Sequence, residues 1–324
     1  MIIGLVEHER GKLSPLSFEM LTLARALAGQ LHVPLHAMLI GDAARPLADQ
    51  LAACGVAAVH LAQHERLGDY APEAWAQSIV ELISALNPQL VIAAGSDRGN
   101  EVMAHVAARM NLPLATNCTA VQPDDTFLVT RLRWGGSLLE EAQLHGQVKL
   151  LTVAPHTVQA EAVPTASGLT SNAFTPTLAE KDFRVRVVER VEPALDKISL
   201  GDARVVIGGG RGVGSAEGFQ VLEEFAGLLG AAVGCSRAVT SVGWRPHIDQ
   251  IGQTGTRIAP ELYIACGVSG AIQHMVGCKG AKHILAINTD PEAPIVAQAD
   301  YAIIGDLHKV IPALCAEIRK AKGA

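Results

Sequence analysis

Four turns in the last quarter of this 324-residue chain carry side chains suited to holding a polar ligand. They are Gln253-Thr254-Gly255, the run Ser269-Gly270-Ala271-Ile272-Gln273-His274, Asn288-Thr289-Asp290, and Asp306-Leu307. Hydroxyl, amide and imidazole groups supply donors and acceptors for an anion or a polar heterocycle, and one large cofactor would use all four turns. Upstream, Gly208 to Ser215 is a glycine-rich turn that contains Arg211, and Ser236-Arg237 closes the next apolar run. Glycines at a strand mouth let backbone N–H groups close on a phosphate, and an arginine adds a fixed charge. The ordinary dinucleotide fingerprint is absent, because Val213, Ser215 and Glu217 stand five positions after Gly208, Gly210 and Gly212. Taken alone, Ser236-Arg237 reads first as a helix-capping serine and a solvated arginine, and His274 first as a core or helix-start histidine.

The elements that must carry these turns follow from periodicity. Short β-branched runs (Ala203 to Ile207, Ala231 to Gly234, Leu262 to Ala265, Ile284 to Ile287) are bounded by Gly, Ser, Asn and Asp. This is the pattern of buried parallel strands ending in functional loops. A helix is expected from the Ser215 region to Leu229. Another covers Leu307 to Lys320, where Leu307, Val310, Ile311, Leu314, Cys315 and Ile318 make one stripe.

Before residue 190 the chain also alternates strand and helix. Strands are expected at Ile2 to Val6, Leu35 to Ile40, Ala57 to Leu61, Leu90 to Ala94, Thr116 to Val121, Thr126 to Arg133 and Lys149 to Val153. Helices are expected at Pro15 to Leu31, Leu47 to Cys54 (closed by Gly55), Glu73 to Leu86, and from Gly99 to Met110. The Gly95 to Gly99 loop reads as a turn that starts a helix, with phosphate binding as the other reading. Arg131 to Gly136 reads as a surface strand ending at a subunit interface, and Phe183 to Val187 as an edge or crossover strand. The pattern fails from Val188 to Pro193, so a domain boundary is expected there. The fold class is α/β with two domains: a mostly parallel sheet domain over about residues 1–192, and a doubly wound domain over about 196–324.

Composition narrows the function. Hydrophobic residues make up 49% and charged residues 18%, which suits a packed globular protein of two cores. A formal net charge of -6 argues against a binder of phosphate backbones, so no nucleic-acid partner is expected. The apolar run Phe225 to Ser236 is too short to cross a membrane and is broken by Gly227, Gly230 and Gly234. Glu7 interrupts the N-terminal apolar stretch, which reads as a strand and not a signal peptide, so a cytoplasmic or organelle-matrix (mitochondrial) location is expected. Six scattered cysteines lack a paired spacing and read as buried free thiols; no metal site is expected.

Six blocks in order carry a resemblance: Gly209-Gly210-Arg211-Gly212, Ser236-Arg237, Gly252-Gln253-Thr254-Gly255, Leu262 to His274, Ala286 to Ile295, and Ala299 to Leu307. Together they resemble the α subunit of electron transfer flavoprotein, the FixB-type family. The resemblance is looser in the first domain, through its opening strand and the Gly11-Lys12-Leu13-Ser14-Pro15 turn. It implies an FAD held by the second domain, in a heterodimer with a β subunit that the first domain meets. By that resemblance Arg211 and Ser269 contact the pyrophosphate with Ser236 nearby, and Asn288, Asp306 and Leu307 contact the adenosine half. Arg237 matches the arginine over the isoalloxazine ring, Thr254 the hydroxyl near N5, His274 the histidine near O2, and Gln253 and Gln273 further ring contacts. Gly255, Gly270, Ala271 and Ile272 belong to the same cofactor-binding blocks.

The residue types suit that chemistry. One-electron reduction places negative charge on the N1–C2=O2 region of a flavin, so a nearby cation or donor raises its potential. The implied function is a single-electron shuttle from flavin dehydrogenases to an acceptor such as a membrane quinone oxidoreductase, with no substrate bond made or broken by this subunit. Three rivals stand beside it: an electron-bifurcating α subunit, an enzyme binding NAD through the first domain, and a flavin-free nucleotide-binding module. Ser241, Thr256, Cys278 and Gly280 depart from the family pattern and bear on potential and partner choice, not on the proposed ligands.

Overall fold

Period-2 alternation builds both sheets. In a computed structural model, which describes residues 1–9, 11–164, 169–189 and 198–323, strand Ile2–Leu5 (β1) sends Ile2 into one core and Ile3 and Leu5 into the other. The chain divides into two compact units, Met1–Arg190 and Val191–Ala324. The expected boundary between 192 and 196 lies outside the described residues.

The first unit continues with helix Pro15–Leu31 (α1), strands Leu35–Ile40 (β2) and Ala58–Ala62 (β3), helix Pro72–Leu86 (α2), strand Leu90–Ala94 (β4) and helix Asp97–Met110 (α3). Strands Leu114–Gln122 (β5), Phe127–Arg133 (β6), Leu138–Leu144 (β7), Lys149–Val153 (β8) and Thr170–Phe174 (β9) follow. Among the described residues they form a nine-stranded sheet of order β9-β3-β2-β1-β4-β8-β5-β6-β7. It is parallel except where β6 pairs antiparallel with β5 and β7. Helix α1 covers one face; α2 and α3 cover the other.

Four expectations change. The helix read at Leu47 to Cys54 is instead part of a run of 3-10 turns from Asp42 to Cys54, which starts before Pro46 and carries that proline inside it; Gly55 does close it, at φ 76°. No strand forms at 183–187. Phe183 is buried beneath the Arg66 guanidinium (3.7 Å), and Arg184 turns to Glu73 (2.5 Å), so that alternation serves contacts to α2 instead of a ladder. Strands β7 and β9, with exposed polar faces, lacked a readable apolar rhythm. Arg131 pairs with Glu140 of β7 (2.8 Å), so the basic cluster before Trp134 sits in a hairpin.

The Gly95 loop is the turn that starts α3. Ser96 accepts from the Gly99 N–H (2.8 Å) and donates to Glu7 Oε1 (2.6 Å), so the protein's own carboxylate lies at this helix N-terminus. Burial raises the Glu7 pKa, against the opposing pull of Ser96 and Arg98. Ser96→Ala removes a cap and leaves this buried carboxyl one donor short. It is expected to cost about 2 kcal/mol of stability, read by urea denaturation.

In the second unit, strands Val205–Gly209 (β10), Ala232–Cys235 (β11), Leu262–Cys266 (β12), His283–Asn288 (β13) and Tyr301–Ile304 (β14) form a five-stranded parallel sheet among the described residues. Its order is β11-β10-β12-β13-β14, with a topological switch between β10 and β12. Helices Phe219–Leu229 (α4) and Leu307–Lys322 (α8), with the single turn Arg237–Thr240 (α5), pack around Ile207, Ile264, Cys266 and Ile287. Helices Ile272–Cys278 (α6) and Pro294–Gln298 (α7) pack around Val206, Tyr263, Ala265 and Ala286 on the other face. Helix α4 starts at Phe219, later than expected, because the preceding turn first makes 3-10 turns over Arg211–Val213. All six cysteines are buried free thiols, and burial pushes Cys235 and Cys266 up to about 12. No helix among the described residues is long and apolar enough to cross a membrane.

Candidate functional site

Backbone contact between two turns at the switch point shapes the site. The turn after β10 lies directly on the turn after β12: Gly210 N–H donates to the Cys266 carbonyl (2.9 Å) and Gly212 N–H to the Gly267 carbonyl (3.1 Å). Gly267 sits at φ 63°, in left-handed space. Val213 and Gly214 N–H groups bond back to the Gly210 and Arg211 carbonyls. These N–H groups are therefore engaged within the fold, and the glycines serve close packing more than a phosphate cradle. An anion here meets the Arg211 side chain.

A cleft of about 270 Å³ opens outside the carboxyl ends of these strands. Six of the residues singled out from sequence line it: Arg211, Ser236, Ser269, Asn288, Asp306 and Leu307. Ser236 stands at the N-cap position of α5, yet its side chain makes no capping bond, which leaves the hydroxyl available to the cleft. Asn288 donates to the Val268 carbonyl (2.8 Å) and accepts from the Asp290 N–H (3.0 Å), tying the turns after β12 and β13 together. One Asp306 oxygen caps α8 through the His308 N–H (2.9 Å). Gly212, Thr289 and Gly305 also line the cleft. All three lie in turns or blocks read from the sequence without being picked out as ligands, whereas Ala238, which also lines the cleft, carried no chemical signal.

Arg237, Gln253, Thr254, Gly255 and the run Gly270 to His274 do not line that cleft; they sit on adjoining turns. Gln253 N–H donates to the Gln273 carbonyl (2.7 Å), which joins two of these turns. Gly270, at φ 83°, lies so close to α7 that a Cβ would meet Ile295 N at 2.3 Å. Arg237, Thr254, Ala271, Ile272 and Gln273 are exposed, while Gln253 and Gly255 are half-buried.

His274 differs from its neighbours. It is buried, and its Nε2 lies 2.7 Å from the hydroxyl of fully buried Tyr263. Burial drives the Tyr263 pKa well above its ordinary value, so the hydroxyl keeps its proton and donates to Nε2. Nδ1 is buried with no hydrogen-bond partner among the described residues. Burial also lowers the His274 pKa to about 4, weakly opposed by the Ile251 backbone, so the ring is neutral at pH 7. The linkage has a definite sign. Between about 6.5 and 4 the unfolded chain binds the proton and the folded chain does not, so acidification through that window destabilises the fold. The expected loss is on the order of 3 kcal/mol, and His274→Gln is expected to flatten that part of a stability–pH curve measured by thermal melting.

The cationic groups stand apart in another way. In the same unit Arg204 pairs with Glu261, Arg245 with Glu223 and Asp249, and Arg319 with Glu224. Among the described residues the Arg211 and Arg237 guanidinium groups have no hydrogen-bond or ion-pair partner. Two unpaired cations, the Ser236 and Ser269 hydroxyls and an acceptor carboxylate fit a ligand with phosphate at one end and a polar ring system at the other.

An open parallel sheet of this strand order, with its polar turns at the switch point, defines a doubly wound α/β protein with a ligand crevice outside the carboxyl ends of its strands. Residues 2–179 match the family described as electron transfer flavoprotein domain, and residues 199–279 the electron transfer flavoprotein FAD-binding domain. The chain belongs to the electron transfer flavoprotein alpha subunit family. It is 35% identical over 320 residues to the electron transfer flavoprotein subunit alpha of Thermoanaerobacterium thermosaccharolyticum, covering 98% of this chain and 97% of that one. It is 38% identical over 322 residues to the same subunit of Mycobacterium tuberculosis, covering 99% of each. Protein FixB of Bradyrhizobium diazoefficiens is 36% identical over 321 residues, covering 97% of this chain and 87% of that one.

Proposed function

We propose that this chain holds one FAD in its second unit and works as the α subunit of a heterodimeric electron carrier. The observation that carries this reading is the pair of guanidinium groups, Arg211 and Arg237, left without carboxylates among the described residues of a unit whose Arg204, Arg245 and Arg319 have them. Arg211, Ser236 and Ser269 hold the pyrophosphate; Asn288, Asp306 and Leu307 hold the adenosine half. Arg237, Gln253, Thr254, Gly255 and the run Gly270, Ala271, Ile272, Gln273 and His274 surround the ring. A flavin bound there supplies reversible one-electron chemistry.

What the chain's own residues add is electrostatic. The Arg237 guanidinium stabilises negative charge near it, whereas His274, neutral and buried, acts as a fixed dipole. The first unit, about residues 1–192, is the proposed contact with a β subunit. Flavin dehydrogenases are the proposed donors and a membrane quinone oxidoreductase the proposed acceptor, with the complex in the cytoplasm or mitochondrial matrix. Stepwise anaerobic reduction of the purified heterodimer tests this. One FAD per heterodimer, reduced in two resolved one-electron steps, supports the reading; two FAD would favour the bifurcating rival, and a colourless protein would end it.

A further inference from the structure

Behind the ring-side turns lies a buried amide that the family motifs did not single out. Gln250 is 2% exposed. Its Oε1 accepts from Thr240 Oγ1 at 2.6 Å and its Nε2 donates to Thr254 Oγ1 at 2.9 Å. Those lengths fit an O–H···O bond on one side and an N–H···O bond on the other, which assigns the two ends of the amide. The backbone fixes Gln250 in turn: its carbonyl accepts from the Thr256 N–H (2.7 Å), and the Ile251 N–H donates to the Cys235 carbonyl at the end of β11 (2.8 Å). Gly255 closes over it so tightly that a Cβ there would come within 2.2 Å of the Gln250 carbonyl oxygen. The single Thr240 Oγ1 proton goes to Gln250 Oε1 at the shorter distance, not to the Arg237 carbonyl 3.0 Å away, and because Thr240 ends α5 the same amide ties the Arg237 turn to the Thr254 turn.

We propose that Gln250 is a positioning residue for Thr254: by donating to Oγ1 from behind, it occupies an acceptor site and turns the threonine hydroxyl outward as a donor to the ring-side ligand. The inference rests on the reading of Thr254 as a flavin contact. A hydroxyl has one proton, and here it is directed away from the protein interior. A donor fixed in advance costs no reorientation when charge develops on the ligand, the condition under which such a bond favours electron uptake. The sequence held no sign of this, since Gln250 is a lone amide between Asp249 and Ile251 and its partners lie ten residues before and four after.

The test is a double-mutant cycle of Gln250→Met and Thr254→Ala in the full heterodimer with FAD, reading the midpoint potential of the first electron. Gln250→Met is expected to lower the equilibrium constant for electron uptake roughly tenfold, a shift of about 59 mV. It is expected to add nothing in the Thr254→Ala background. Additive losses, or no shift in Gln250→Met, would overturn the role of Gln250 while leaving Thr254 a ring contact. No shift in Thr254→Ala would instead remove the ring-side reading of Thr254, and the proposal with it. A second measurement needs no Gln250 variant: in the cofactor-free full chain, the NMR signals of the Gln250 side-chain amide should lose exchange protection in Thr254→Ala and keep it in Thr254→Ser. Unchanged protection in Thr254→Ala would overturn the bond itself.

Discussion

Arg237→Ala should leave FAD bound and lower the potential for the first electron by about 100 mV. A full charge beside a half-solvated ring is worth on the order of 2 to 4 kcal/mol, and 1.4 kcal/mol corresponds to 59 mV for one electron. Binding should survive because Arg211, Ser236, Ser269, Asn288, Asp306 and Leu307 line a separate cleft. No imidazolium takes over the lost charge, since burial holds His274 neutral with a pKa of about 4. Arg237→Lys should recover most of the potential, because charge and not fork geometry is the requirement. Spectroelectrochemical titration decides the matter: an unshifted potential in Arg237→Ala places the guanidinium away from the ring.

The division of labour between those two residues was only half legible in the sequence. Arg237 and His274 belong to the same set of family blocks, and both were read as groups answering negative charge on the ring. What separates them is depth, which depends on Tyr263 one strand face away and on Gly208 beside it, where a Cβ would lie 2.1 Å from the tyrosine hydroxyl. Such a fit is a property of three dimensions. The strands and main helices were legible because alternation and helical stripes are local, as in Pro15–Leu31 and Leu35–Ile40. Thr170–Phe174 was not, because its pairing with Ala58–Ala62 is a long-range contact without an apolar signature. Phe183 to Val187 misled for the opposite reason, its alternation being real but directed at Arg66 and Glu73.

The glycine turn after β10 illustrates the same limit and gives the largest expected loss. Read from sequence, Gly208 to Gly214 suggested backbone N–H groups free to hold phosphate. In the fold Gly210 has an ordinary φ of -105°, so an alanine there is not strained by its own backbone. Its Cβ would instead stand 2.1 Å from the Gly267 carbonyl oxygen and 2.7 Å from Val268 Cα, both main-chain atoms. Neither can swing aside as a side chain would, so the two turns at the switch point must separate. Gly210→Ala is therefore expected to cost more than about 3 kcal/mol and to abolish FAD retention, because Arg211 and Ser269 lie on the turns that part. Gly214→Ala is the informative control. That position has φ 88° and ψ -38° but open space around it, so the penalty should be the positive-φ backbone alone, about 1 to 3 kcal/mol, with FAD kept. Thermal melting and FAD content of the two variants separate the explanations. If Gly210→Ala melts near the parent and stays yellow, the contact between the turns is not what holds the site, and the glycines must be sought at the phosphate after all.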